Sequence, residues 1–223
     1  VIEYFSNLNN NEIFLIDKFS CSFFYKKLIE SKFKFYEKND PIYLLKAKKN
    51  NVEISNSIKS HIQDGVALTK FIYWIKNNIG KYKITEISAE KKLEHFRKKN
   101  SNYKFPSFNT ISGSGPNGAI VHYRANKQTN RLIKKEDIYL CDSGGQYHYG
   151  TTDVTRTMCF SNQPPKIKNI FTKVLKGHIA VATYNLKKNT TGKKIDIVAR
   201  KPLNKIGLDY AHGTGHGVGY FLN

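Results

Sequence analysis

Cysteine is scarce in this chain. There are three, Cys21, Cys141 and Cys159, too few and too odd in number for a disulfide framework, so a reducing compartment, the cytoplasm, is the expectation. Long apolar runs are missing too: nothing approaches the ~20 residues of a membrane-spanning helix, and no membrane partner is expected. Acidic residues number 17 against 37 Lys and Arg, leaving a formal charge of +20 over 223 residues. That excess alone would point to a polyanion partner. Arginine, however, contributes only 5 of the 37 basic residues, and it is the residue that bidentate base and phosphate recognition favours. The lysines are also spread evenly, with 20 basic side chains in residues 1–104 and 17 in residues 105–223. No basic domain or tail emerges, so no specific nucleic-acid partner is expected.

What is present excludes disorder: 39% of residues are hydrophobic and 13% aromatic, enough to bury a core. The chain begins at Val1 and stops at Asn223 inside an apolar stretch, and is expected to be an internal fragment. In residues 1–50, Ile13–Ile16 and Ile42–Leu45 read as strands bracketing a helix around Ser22–Lys32, the tail of an α/β unit. From Asn50 the pattern turns helical. Val52, Ile54, Ile58, Ile62, Val66, Leu68, Ile72 and Ile75 recur at three- and four-residue steps, with an expected break at Gly65 and an end near Gly80. Thr85 and Ser88 are candidate caps for a second helix. Short β-type runs follow at Thr110–Ser114, Ala119–Tyr123, Ile138–Asp142 and Asp153–Phe160, then helices over Lys166–Tyr184 and Ile195–Ile206, the last bent or interrupted by Pro202. This order predicts an α+β domain.

Chemistry-bearing residues concentrate in three places. In Ser112-Gly-Ser-Gly-Pro-Asn-Gly-Ala-Ile-Val-His122, a Gly/Pro loop leads into an apolar run ending in His122; the glycine spacing does not fit a phosphate cradle. In Asp142-Ser-Gly-Gly-Gln-Tyr-His-Tyr-Gly-Thr-Thr-Asp153, a Gly-containing turn can return Asp153 beside Asp142. Two adjacent carboxylates repel unless a proton or cation lies between them; the alternative is a pair of turn aspartates capping backbone amides. In Tyr210-Ala-His212-Gly-Thr-Gly-His216-Gly-Val-Gly219, alternating glycines, each costing about 1 kcal/mol in a helix, argue against the helical zinc motif. They suit an extended segment approached by another backbone or a ligand, with His212 and His216 doing different jobs. Two Asp and one or two His, without thiolate, suit Mn²⁺, Zn²⁺ or Co²⁺ in a hydrolytic site, often as two ions. Cys141 and Cys159 read as small buried hydrophobes.

Gly115-Pro-Asn-Gly-Ala-Ile-Val-His-Tyr123, then Asp142–Tyr147 with Gly150–Thr157, then His212-Gly-Thr-Gly-His-Gly-Val-Gly219 together resemble the aminopeptidase P family of pita-bread (creatinase/aminopeptidase-like) metallopeptidases. The resemblance implies that residues 1–45 end a preceding α/β domain and residues 46–223 form a catalytic domain incomplete at its C-terminus. It implies Asp142, Asp153 and His216 as metal ligands, with His122 and His212 contacting substrate. The implied cofactor is two divalent ions, Mn²⁺ first and Zn²⁺ or Co²⁺ as alternatives. The implied reaction is attack of a metal-bridging hydroxide on the X-Pro bond of a peptide with Pro in second position, in a protein that can form a homodimer. Two further glutamate ligands are implied beyond residue 223, so this stretch by itself is expected to bind metal weakly and lack peptidase activity. Prolidases share the ligand scheme, and a metal-free peptide- or protein-binding module shares the fold; both stand as alternatives.

Overall fold

In the computed structural model, which describes residues 1–222, the chain divides into two compact units, Val1–Asn51 and Val52–Asn223. The first opens with a short helix α1 (Ile2–Ser6), followed by β1 (Ile13–Ile16), α2 (Phe23–Glu30), β2 (Lys34–Glu37) and α3 (Pro41–Ala47). β1 and β2 run parallel, Ile13 opposite Lys34, and α2 supplies the crossover that parallel neighbours require. Ser22 starts α2 by accepting a hydrogen bond from the Tyr25 amide. Ile16, Ile29 and Phe33 form the small core. Ile42–Leu45, expected as a strand, is helical. Pro41 occupies the first turn and the Asp40 side chain caps it by accepting from the Ile42 amide at 2.8 Å, so cap and proline together outweigh the β-type apolar run.

The second unit is built on α4 (Asn51–Asn78) and α5 (Glu86–Lys98). Strands β3 (Tyr103–Pro106) and β4 (Ile111–Ser114) follow, then a 3₁₀ turn (Gly115–Ala119), β5 (Ile138–Ser143), β6 (Gly145–Tyr147), β7 (Gly150–Thr151) and β8 (Val154–Cys159). Helices α6 (Pro165–Ala182) and α7 (Gly192–Asn204) come last. Two antiparallel three-stranded sheets result, ordered β3-β6-β7 and β4-β5-β8. α4 runs unbroken through Gly65, and α7 continues past Pro202 to Asn204. The core joins Leu68, Phe71, Ile75, Leu93, Ile133, Tyr139, Cys141 and Met158. Cys141 is fully buried, which pushes its thiol up to about 11. Among the described residues no helix is long and apolar enough to cross a membrane.

The buried stripe of α4 differs from the expected one. Ser60, Asp64, Ala67, Leu68, Phe71 and Ile75 face inward, whereas Val52, Ile54, Ile58, Ile62 and Val66 are exposed. Only the C-terminal half of the apolar periodicity coincides with the core. α5 starts where its cap predicts. Thr85 accepts from the Ser88 amide at 3.2 Å while the Ser88 hydroxyl accepts from the Thr85 amide at 2.8 Å, a reciprocal box built with Ser in place of the usual Glu. Thr85→Ala is expected to destabilise the protein by about 1 kcal/mol, read from the urea midpoint; an unchanged midpoint would remove the cap from the account.

Candidate metal centre

β5 pairs antiparallel with β8, setting Asp142 opposite Thr155 and Ser143 opposite Val154. Asp153 immediately precedes β8, so the sheet register brings its carboxyl beside that of Asp142, as the motif spacing predicts. The chain leaves β5 through Gly144, where a Cβ would collide with the Thr152 carbonyl and the Ser107 hydroxyl; only glycine permits that approach.

Asp142 keeps one carboxyl oxygen, Oδ1, buried without a hydrogen-bond partner among the described residues. Buried polar atoms are nearly always paired, so an orphaned carboxylate oxygen signals a missing partner. Asp153 is held above the usual carboxylate range, first by burial and then by repulsion from Asp142. Its Oδ2 lies 3.3 Å from His216 Nε2. His216 Nδ1 lies 2.8 Å from the Gly217 carbonyl, and against an acceptor it must donate. That contact makes Nδ1 the donor and leaves Nε2 as the ring nitrogen facing the carboxylates, the one a metal ligand would use. An unpartnered carboxylate oxygen, a repelled carboxyl and an imidazole nitrogen facing them fit a divalent cation. Among the described residues no three His, Cys, Asp or Glu side chains converge closely enough to enclose an ion by themselves.

The histidine-bearing segment is not helical, as its glycines predict. Arg200 of α7 holds it: Nη1 donates to the Tyr210 carbonyl and Nη2 to the His212 carbonyl, both at 2.7 Å. Asp196 and Asp209 anchor that guanidinium at 2.9 and 2.8 Å, and Asp196 also accepts from Thr214. At the far end Gln146 Nε2 donates to the Tyr220 carbonyl at 2.9 Å. No described atom would meet a Cβ at Gly213, Gly215 or Gly217 within 4 Å. The expected close backbone approach is therefore not seen at these three glycines.

His122 departs from its expected setting. Ala119–Tyr123 is not a strand: Pro116 starts the 3₁₀ turn, and His122 follows on an exposed turn with φ +54°, a left-handed conformation uncommon outside glycine. No hydrogen bond or ion pair among the described residues joins His122 or His212 to the two aspartates; His212 Nδ1 donates to the Gly213 carbonyl. The sequence reading missed the residues that hold these loops. Glu86, fully buried, anchors the turn carrying His122, and Asp64 and Arg97 brace the end of β5 through Ser143. A buried acid inside a helix, opposite a basic residue on the next helix, is the available signal for the last two.

Residues 57–223 match the model of metallopeptidase family M24, and the chain belongs to that family. A probable Xaa-Pro aminopeptidase P of Laccaria bicolor is 49% identical over 184 residues, covering 82% of this chain and 29% of that protein. The crystal structure of an X-prolyl aminopeptidase from Caenorhabditis elegans, described as a cytosolic enzyme with a di-nuclear active site, superposes with a TM-score of 0.80 at 36% identity. It covers 88% of this chain and 32% of that one. A prolidase from Pyrococcus furiosus gives 0.82 at 26% identity, with 99% and 64% covered. The fold is thus the α+β pita-bread fold that the motifs imply. The chain spans about 30% of the length of the Laccaria bicolor and Caenorhabditis elegans aminopeptidases.

Proposed function

We propose that the full-length protein is a metal-dependent X-Pro aminopeptidase, removing the N-terminal residue from peptides with Pro in second position. The observation that carries this reading is the orphaned Asp142 Oδ1 beside Asp153, whose carboxyl faces His216 Nε2. Asp142, Asp153 and His216 would hold the metal from this chain; no glutamate follows Glu136 in it. Two divalent ions, Mn²⁺ in the first instance, would supply Lewis-acid polarisation and an activated water at neutral pH. The Gly217 carbonyl, by accepting from Nδ1, would turn Nε2 of His216 toward the metal. His122 and His212 would contact the substrate, His122 by donating a hydrogen bond to the oxygen on which charge develops and His212 through Nε2, the ring nitrogen that its contact with the Gly213 carbonyl leaves free. One of the aminopeptidases above is described as cytosolic, and we extend cytoplasmic residence to this protein on that basis; a homodimer of the full-length protein is proposed on the family resemblance alone. Residues 1–45 would close a preceding α/β domain.

A prolidase-type dipeptidase is the second reading, favoured by the likeness to the Pyrococcus furiosus enzyme. The full-length protein loaded with Mn²⁺ is expected to cleave an X-Pro-Y tripeptide well and an X-Pro dipeptide poorly, and to lose both activities in EDTA. The reverse preference would assign it to the dipeptidases. No hydrolysis of either, with metal bound, would leave a binding module.

A further inference from the structure

Glu86 sits at the first turn of α5 with no solvent exposure. No cation pairs with it among the described residues; instead its carboxyl collects donors from one loop system. Oε1 accepts from the Ser114 amide at 2.7 Å and Asn117 Nδ2 at 3.0 Å. Oε2 accepts from Asn117 Nδ2 at 3.1 Å, the Tyr123 hydroxyl at 2.9 Å and the Arg131 amide at 2.9 Å. Ser114, Asn117 and Tyr123 bracket the turn on which His122 stands. Asn117 also donates to the Tyr123 oxygen at 2.7 Å, closing a ring across five intervening residues. Fixing both ends of so short a segment limits the backbone freedom of everything between, including the left-handed His122.

We propose that Glu86 is the positioning residue for His122: its carboxyl sets the place from which that imidazole meets the substrate. The inference rests on the proposed role of His122. A carboxylate accepts at all its lone-pair sites and an amide cannot. Glu86→Gln therefore turns an NH₂ group toward donors that need an acceptor, with almost no change of shape.

In the full-length protein, Glu86→Gln is expected to lower kcat for an X-Pro-Y peptide about 10- to 100-fold, with a smaller change in KM and unchanged metal content. Hydrogen exchange should accelerate in residues 115–123 and not in β5 or β8. The double variant Glu86→Gln/His122→Ala should be no slower than His122→Ala alone, because the two changes remove one function. Tyr123→Phe, which spares the carboxyl and removes one donor, gives a milder loss of the same kind and serves if the glutamine variant does not fold. Losses that multiply in the double variant, or unchanged exchange in residues 115–123, would overturn the positioning role. His122→Ala with unimpaired kcat/KM would instead overturn the role of His122 itself, and the two failures are read from different proteins.

Discussion

Asp153→Asn in the full-length protein is expected to lower kcat/KM for an X-Pro-Y peptide by at least about 10³-fold, while leaving the metal-free protein no less stable at neutral pH. The first half follows from position: Asp153 lies between Asp142 and His216, so its loss removes the carboxylate that both neighbours face. The second follows from the direction of its pKa. Burial and Asp142 hold the Asp153 carboxyl above its ordinary value, so the folded chain binds that proton more tightly than the unfolded chain. Stability then falls as pH rises from the ordinary carboxylate value through the folded one, and at neutral pH the ionised group opposes folding. Asparagine, neutral and of the same shape, removes that opposition. Added Mn²⁺ should raise the melting temperature of the wild type by mass action and leave that of the variant nearly unmoved. Equal destabilisation of the variant in EDTA and in Mn²⁺ would show that Asp153 serves the fold instead of a cation.

The same residues show where the sequence was readable. Asp142 and Asp153 could be placed side by side because strand spacing is a local property and the register of β5 on β8 preserves it; His216 is singled out from His212 only by the family resemblance of its motif. The helices were legible from local pattern too: of the two candidate caps for α5, Thr85 is the cap and Ser88 its partner inside the first turn. Ile42–Leu45 was misread because the apolar run is ambiguous between strand and helix, and its decision lies in one capping hydrogen bond from Asp40. The inward face of α4 was misread differently. Its exposed isoleucines carry the periodicity, whereas part of its buried stripe is Ser60 and Asp64, whose burial depends on partners 33 and more residues away. Glu86 was invisible for that reason as well: its donors come from residues 114 to 131, and no local pattern announces them.

Arg97→Ala and Asp64→Ala are each expected to cost about 3–5 kcal/mol of stability, the range for breaking a buried pair from one side. Both side chains are almost wholly buried, at 2% and 1% exposure, and Arg97 Nε meets Asp64 Oδ1 at 2.7 Å. Arg97 Nη2 adds Asp64 Oδ2 at 3.0 Å, and the Tyr147 hydroxyl donates to Asp64 at 2.8 Å. Burial acts against the guanidinium charge, but the hydrogen bonds and charge of Asp64 outweigh it and hold its pKa above the ordinary value. Removing either partner strands the other charge in the core, whereas replacing both by apolar side chains of similar volume should cost much less than the two single losses combined. Tyr147→Phe, which leaves the ion pair intact, should cost about 1 kcal/mol. Urea unfolding of the four variants checks the order, and a double variant as unstable as the singles summed would refute the pairing. The pair also reaches the site, because Arg97 Nη2 donates to Ser143 Oγ at 3.1 Å, one residue beyond Asp142. A helix-to-helix ion pair thus fixes the end of β5 from behind, so the double apolar variant, though folded, should bind Mn²⁺ more weakly than the wild type.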